Sequence, residues 1–140
     1  MRLRPPSVPL ITVDPYFSLW SPADHLTDAV TAHWTGKPQT MVGYAAIDGV
    51  TYRFLGRLHP GDDSPAMMEV SRDCDALHTR YVFTAAGVEL TVTFLTPLLM
   101  DDLDVMTRPV SYLRLSVRSL DHACHMVGIR LAVSEEICLN

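Results

Sequence analysis

The residues best suited to chemistry fall into three short clusters. Asp121-His122-Ala123-Cys124-His125 gathers carboxylate, thiol and imidazole, the ligand types that zinc takes. No second cluster completes a four-ligand set, and the run sits where a polar hairpin loop is expected, so loop polarity is the simpler explanation. Asp101-Asp102-Leu103-Asp104 places carboxylates at the short spacing that hard cations favour. It lacks the glycine and the closing glutamate of a helix-loop-helix calcium loop, and aspartates also serve as helix caps, with Arg108 just beyond as an ion-pair partner. Cys74 and His78 would suit a thiolate with an imidazole base, but no orienting third group stands nearby in sequence. A structural cysteine near a strand start is the simpler reading there.

The common signatures of nucleophilic and phosphate chemistry are missing. There is no Ser-x-x-Lys, and the single lysine, Lys37, has Trp34 three residues before it. No Gly-x-Ser-x-Gly elbow, P-loop, Gly-x-Gly-x-x-Gly or His-Glu-x-x-His occurs. Six histidines and sixteen carboxylates leave material for a site assembled in three dimensions, but their spacing points to none. No cofactor and no metal is therefore expected. The densest mixture of aromatic and polar groups is Asp14-Pro15-Tyr16-Phe17-Ser18-Leu19-Trp20-Ser21, followed by His33-Trp34-Thr35-Gly36. Such groups line carbohydrate and small-ligand surfaces and tight interfaces, and they also staple a wrapping segment onto a sheet. Asp14, Tyr16, Trp20, His33 and Trp34 are the candidates for a ligand-facing or interdomain surface.

The elements that must position these groups are strands. Val88, Leu90, Val92 and Phe94 alternate with Glu89, Thr91 and Thr93, the period of a strand with one buried face. Residues 79–84 are rich in β-branched and aromatic types, and Ala85-Ala86-Gly87 supplies the turn between the two runs. Asp48-Gly49 between the apolar runs 41–47 and 50–54 is a strong hairpin signal. Two further alternating runs cover 113–118 and 127–134, joined by a polar turn, and 67–71 adds a short strand. Helix signals are confined to 24–32, with Ser21 or Asp24 as cap, and to one turn around 101–105. The expected fold is all-β, a mostly antiparallel sandwich over 41–140, preceded by an extended proline- and aromatic-rich segment over 1–40 that packs on it without joining a regular ladder.

Composition narrows the partners. The chain has 140 residues, 48% hydrophobic and 19% charged, with a net charge of −5, which is enough for one domain with a core. Neither a basic footprint for nucleic acid nor an apolar run of about 20 residues for a bilayer is present. Three scattered cysteines do not make a disulfide framework and mildly favour a reducing compartment. Met1-Arg2-Leu3-Arg4-Pro5-Pro6 does not read as a signal peptide, so a cytoplasmic location is expected, with secretion open if a leader is trimmed.

Several long motifs carry a family resemblance. Leu3-Arg4-Pro5-Pro6-Ser7-Val8-Pro9-Leu10-Ile11-Thr12-Val13-Asp14-Pro15-Tyr16-Phe17-Ser18-Leu19-Trp20-Ser21 and Thr31-Ala32-His33-Trp34-Thr35-Gly36-Lys37-Pro38 resemble the opening of the glutaminase A family. The likeness continues through Thr96-Pro97-Leu98-Leu99-Met100-Asp101-Asp102-Leu103-Asp104 and Arg108-Pro109-Val110-Ser111-Tyr112. It ends in residues 127–140, where Ser134-Glu135-Glu136-Ile137 stands in place of a Ser-Ala-Glu-Trp-like pattern. The resemblance implies a protein of the six-hairpin glycosidase type, with an N-terminal β-sandwich followed by a large α/α toroid. It also implies hydrolysis of L-glutamine to L-glutamate and ammonia, with catalytic groups mostly in the toroid. On that reading no catalytic residue is carried over to this chain. It is a non-catalytic N-terminal sandwich region, incomplete relative to the full domain, whose partner is the toroid, and its 14–20 and 33–36 motifs face the toroid or its cleft. Exposed strand edges would also permit a homo-oligomer. The alternative is a carbohydrate- or peptide-binding module built on Tyr16, Trp20 and Trp34.

Overall fold

Alternation of apolar and polar residues suits strands that bury one face, and nine strands form in the computed structural model, which describes residues 5–138. Met1, Arg2, Leu3 and Arg4, on which the leader reading and the start of the opening motif rest, lie outside the described residues, as do Leu139 and Asn140 at the end of the last motif. The strands are β1 (Val8–Thr12), β2 (Ser18–Ser21), β3 (Met41–Ile47), β4 (Val50–Leu55) and β5 (Met68–Cys74). They continue with β6 (His78–Ala85), β7 (Val88–Leu95), β8 (Tyr112–Ser119) and β9 (Val127–Val133). One short helix, α1 (Leu103–Met106), and a 3-10 turn, Glu135–Cys138, complete the elements. The fold is all-β and antiparallel, as the alternation predicts.

Three sheets result: a four-stranded one ordered β5-β6-β7-β8, a three-stranded one ordered β4-β3-β9, and the pair β1-β2. The two larger sheets share an aromatic core. Phe54 from β4 lies 6.3 Å from Phe83 on β6, which stacks at 5.9 Å on Tyr81, and Tyr81 meets Phe94 edge-on at 6.4 Å. The hairpins expected around Asp48-Gly49 and Ala86-Gly87 are present. Asp48 and Gly49 adopt φ of 49° and 88°, and Ala86 and Gly87 adopt 45° and 74°, the left-handed backbone that a two-residue hairpin turn demands. Asp102 caps α1 by accepting from the Val105 amide at 3.1 Å, so the 101–104 acidic run works as a helix start. Among the described residues Arg108 forms no ion pair with it.

Residues 8–21 hold a ladder of their own, which corrects the expectation of an extended segment outside any regular ladder. β1 and β2 pair antiparallel, with a bulge between Pro9 and Ile11, and β1 packs against β6 and β7. Thr79 Oγ1 donates to the Pro9 carbonyl at 2.7 Å and fixes that contact.

Two further expectations are corrected. Residues 24–32 form turns instead of a helix. The segment is too short to repay helix nucleation, and its polar groups find tertiary partners: the Leu26 amide donates to Glu69 Oε2 at 2.9 Å, and the Leu26 carbonyl accepts from Gly56. The loop from Ser119 to His125 closes no hairpin, because β8 pairs with β7 and β9 pairs with β3. It crosses from one sheet to the other. Period-two alternation fixes which face of a strand is buried but not its pairing partner.

One side of the sandwich is open. Ile129, Leu131 and Val133 sit in register with Ala45, Gly43 and Met41, so they have the parity of the buried face. They are nevertheless 37%, 40% and 51% exposed, while Ala45 is 1% exposed. On β8 the same parity leaves Leu113 and Leu115 half-buried and Val117 exposed.

Candidate functional site

The aromatic and polar residues singled out near the N-terminus are brought together around one carbonyl. Asp14 Oδ1 accepts from the amides of Tyr16 at 2.7 Å and Phe17 at 2.8 Å, which closes the β1–β2 turn and turns the Pro15 carbonyl outward. That oxygen lies 3.0 Å from His33 Nε2 and accepts from Trp34 Nε1 at 2.7 Å. His33 Nδ1 lies 2.8 Å from Thr35 Oγ1, and the His33 and Trp34 rings are 5.4 Å apart. The 33–37 turn is closed by His33 N–H to Lys37 O at 2.8 Å and by Gly36 at φ 89°. Tyr16 and Trp34 remain 78% and 61% exposed, a large area for residues that ordinarily seek cover. Trp20 is not part of this platform: it is half-buried, exchanges backbone hydrogen bonds with Ala32, and donates Nε1 to Ser18 Oγ at 3.3 Å. Asp14 positions the turn, and Tyr16, His33 and Trp34 present the surface.

A second constellation joins residues far apart in sequence. His125 Nδ1 lies 2.6 Å from Asp48 Oδ2, and His125 Nε2 lies 2.9 Å from Asp121 Oδ1. A carboxylate only accepts, so both contacts are hydrogen bonds when both ring nitrogens carry protons, in the imidazolium form. The carboxylates of Asp48 and Asp121 raise the His125 pKa above its usual 6.5. In return His125 lowers the Asp121 carboxyl to about 2, helped by the Ala123 amide, and lowers Asp48 with help from the Met126 amide. The Leu120 amide donates to Gly87 O at 2.7 Å, so this contact ties the crossover loop to both hairpin turns. His122 and Cys124, the other members of the zinc-like cluster, do not join it. Among the described residues no group of three or more His, Cys, Asp or Glu is placed to hold a metal ion.

A third constellation is buried. Arg53, 3% exposed, places Nη1 3.2 Å from Asp62 Oδ1 and donates to Ser64 Oγ at 2.8 Å. Burial works to raise the Asp62 pKa. Hydrogen bonds from Ser64 and Tyr44, joined by the Ser64 and Leu58 amides, overcome it and hold the carboxyl far below its usual range. Tyr44, opposite Arg53 in the ladder, donates to Asp62 Oδ2 at 2.8 Å. The network pins the 57–64 loop over the outer face of the β3–β4 pair. Sequence reading missed it, since an arginine inside a strand reads as a solvent-facing position. The missed signal is the run Arg53-Phe54-Leu55, which breaks alternation because all three are buried.

The thiol–imidazole pair is not formed. His78 Nδ1 is turned to Asp75 Oδ1 at 3.2 Å, and Cys74 Sγ lies 3.4 Å from Thr79 Oγ1. Cys74 ends β5 instead of opening a strand and is exposed.

Comparison with known proteins bears on these sites. Residues 1–59 match a domain of unknown function, DUF4964, and residues 77–140 match a second, DUF5127. Over 141 aligned positions, covering 95% of the chain, it is 27% identical to a Glutaminase A of Aspergillus oryzae. The chain resembles part of a glutaminase A. It spans about a fifth of that relative's length, 20%. No solved structure matches the chain. The aromatic platform and Arg53 fall within the first matched domain, and Asp121 and His125 within the second. Asp62 lies between the two.

Proposed function

We propose that this chain is the non-catalytic N-terminal sandwich region of a glutaminase A-like protein, a protein that hydrolyses L-glutamine to L-glutamate and ammonia with groups held elsewhere. The observation that carries the reading is coverage: the likeness runs through 95% of this chain yet only 20% of the relative. The described titratable clusters agree with it. His125 has both ring nitrogens engaged by carboxylates, His78 faces Asp75, and Asp62 is enclosed with Arg53, so none is an idle base beside a nucleophile. The Tyr16–Trp34 platform and the open apolar side at β8 and β9 are the surfaces that meet the remainder of the protein, an α/α toroid. The purified chain is expected to release no ammonia from L-glutamine. Release that His125→Ala or Asp75→Ala abolishes contradicts the reading.

A second reading rests on the exposure of Tyr16 and Trp34 beside His33: a module that binds a carbohydrate or a peptide on this platform. It predicts that saccharides or glutamine-containing peptides quench Trp34 fluorescence in a Trp20→Phe background. An unchanged spectrum across the panel removes it.

A further inference from the structure

Outward-facing side chains of β6, β7 and β8 enclose a groove of about 730 Å³, within the size range of small-ligand sites. Its middle row is Arg80, Thr93 and Arg114, in register across the three strands. Two strand spacings separate the arginine Cα atoms, about 10 Å, so two long side chains can close on one group above Thr93. Among the described residues neither guanidinium makes a hydrogen bond or an ion pair. Arg53, Arg57 and Arg118, by contrast, each donate to a protein acceptor.

The nearby acids do not lie between the two arginines. Asp73 on β5 is in register beside Arg80 on its far side, Asp75 holds His78, and Glu89 accepts from Arg118 at 2.9 Å two residues along. Two like charges thus flank one strand, in a chain of net charge −5 where general basicity is no explanation. The rest of the lining adds further chemistry. Thr93 offers a hydroxyl within the arginine row and Thr91 and Ser116 offer two more on one side of it, while on the other half-buried Leu95 lies in register with Tyr112, which is 57% exposed. A guanidinium fork matches a carboxylate, hydroxyls match a polyol, and an apolar edge beside a phenol suits the face of a sugar ring.

We propose that the outer face of the four-stranded sheet binds a hydroxylated carboxylate, an acidic saccharide unit, with its carboxylate between Arg80 and Arg114. The groove shares no lining residue with the aromatic platform. The test is a titration of the isotopically labelled chain with trigalacturonate, followed by amide chemical shifts, with neutral galactotriose and inorganic phosphate as parallel arms. The expected result is saturable shifts centred on residues 79–81, 92–94 and 113–115 with trigalacturonate. Arg80→Gln and Arg114→Gln each weaken binding by about tenfold or more, and Arg118→Gln leaves it unchanged. Both substituted side chains are exposed, and unperturbed shifts in the core verify that each variant is folded. The proposal is overturned if galactotriose or phosphate binds there as tightly as trigalacturonate. It is equally overturned if the arginine variants bind normally, or if no saturable shift appears up to about 10 mM.

Discussion

His125 is held by two carboxylates, and its protonation is coupled to folding in a direction the geometry fixes. Its folded pKa lies above the usual 6.5, so its contribution is complete below about pH 6.5 and is lost as pH rises through the raised value. Asp48 and Asp121 have lowered values, Asp121 about 2, so theirs is present above 3.8 and lost as pH falls towards 2. The melting-temperature gap between the native chain and His125→Asn is therefore expected to be widest near pH 5–6 and to shrink on the alkaline side. A gap constant from pH 5 to 9 contradicts this coupling. Asp62 behaves differently, because its partner is buried. Asp62→Ala leaves the buried Arg53 guanidinium with hydroxyl and carbonyl acceptors but no counter-charge, and is expected to cost about 3–5 kcal/mol in urea unfolding, more than any exposed charge on the molecule. A loss under about 1 kcal/mol would show that water reaches Arg53 and that the pair is not closed. Neither contact was legible in sequence, since Asp48 and His125 stand 77 positions apart and Asp48 already had a sufficient role as a turn residue.

Strands and turns were far more legible than side-chain partners, and the glycines of the two hairpins show why. Gly49 and Gly87 both sit at positive φ, a requirement local enough to appear as a two-residue signature. Their surroundings separate them. A Cβ on Gly49 meets nothing within 4 Å, whereas one on Gly87 would collide with the Asp121 carboxylate and lie 3.3 Å from His125 Nε2. Gly49→Ala is expected to cost about 1–2 kcal/mol from backbone strain alone, and Gly87→Ala more, through displacement of the crossover loop. Thermal melts of the two variants check the order, and equal losses contradict the packing of Asp121 on Gly87. The crossover loop was misread as a hairpin because alternation in 113–118 and 127–134 is compatible with pairing to any strand of matching parity. The 24–32 segment was misread because alanine, valine and leucine suit a helix locally, while Glu69 and Gly56 supply tertiary partners that no local rule shows.

At the scale of the molecule, a β-sandwich carries its described polar clusters as braces. Asp48, Asp121 and His125 lock three turns at one end, and Arg53 and Asp62 fasten a loop across a sheet face. Its exposed features are surfaces: an aromatic platform, a cationic groove and an apolar side at β8 and β9. This division was partly visible in sequence, where no nucleophile motif and no helix-rich stretch accompanied the glutaminase A-like motifs. Among the described residues no helix is long and apolar enough to cross a membrane. The proposed function places glutamine chemistry outside this region. The most direct measurement is a time course of ammonia release from L-glutamine by the purified chain at high concentration, from pH 5 to 9, with heat-denatured chain as the reference. Coincident traces are expected. A rate above the reference that scales with chain concentration and disappears on a single substitution within the chain contradicts it.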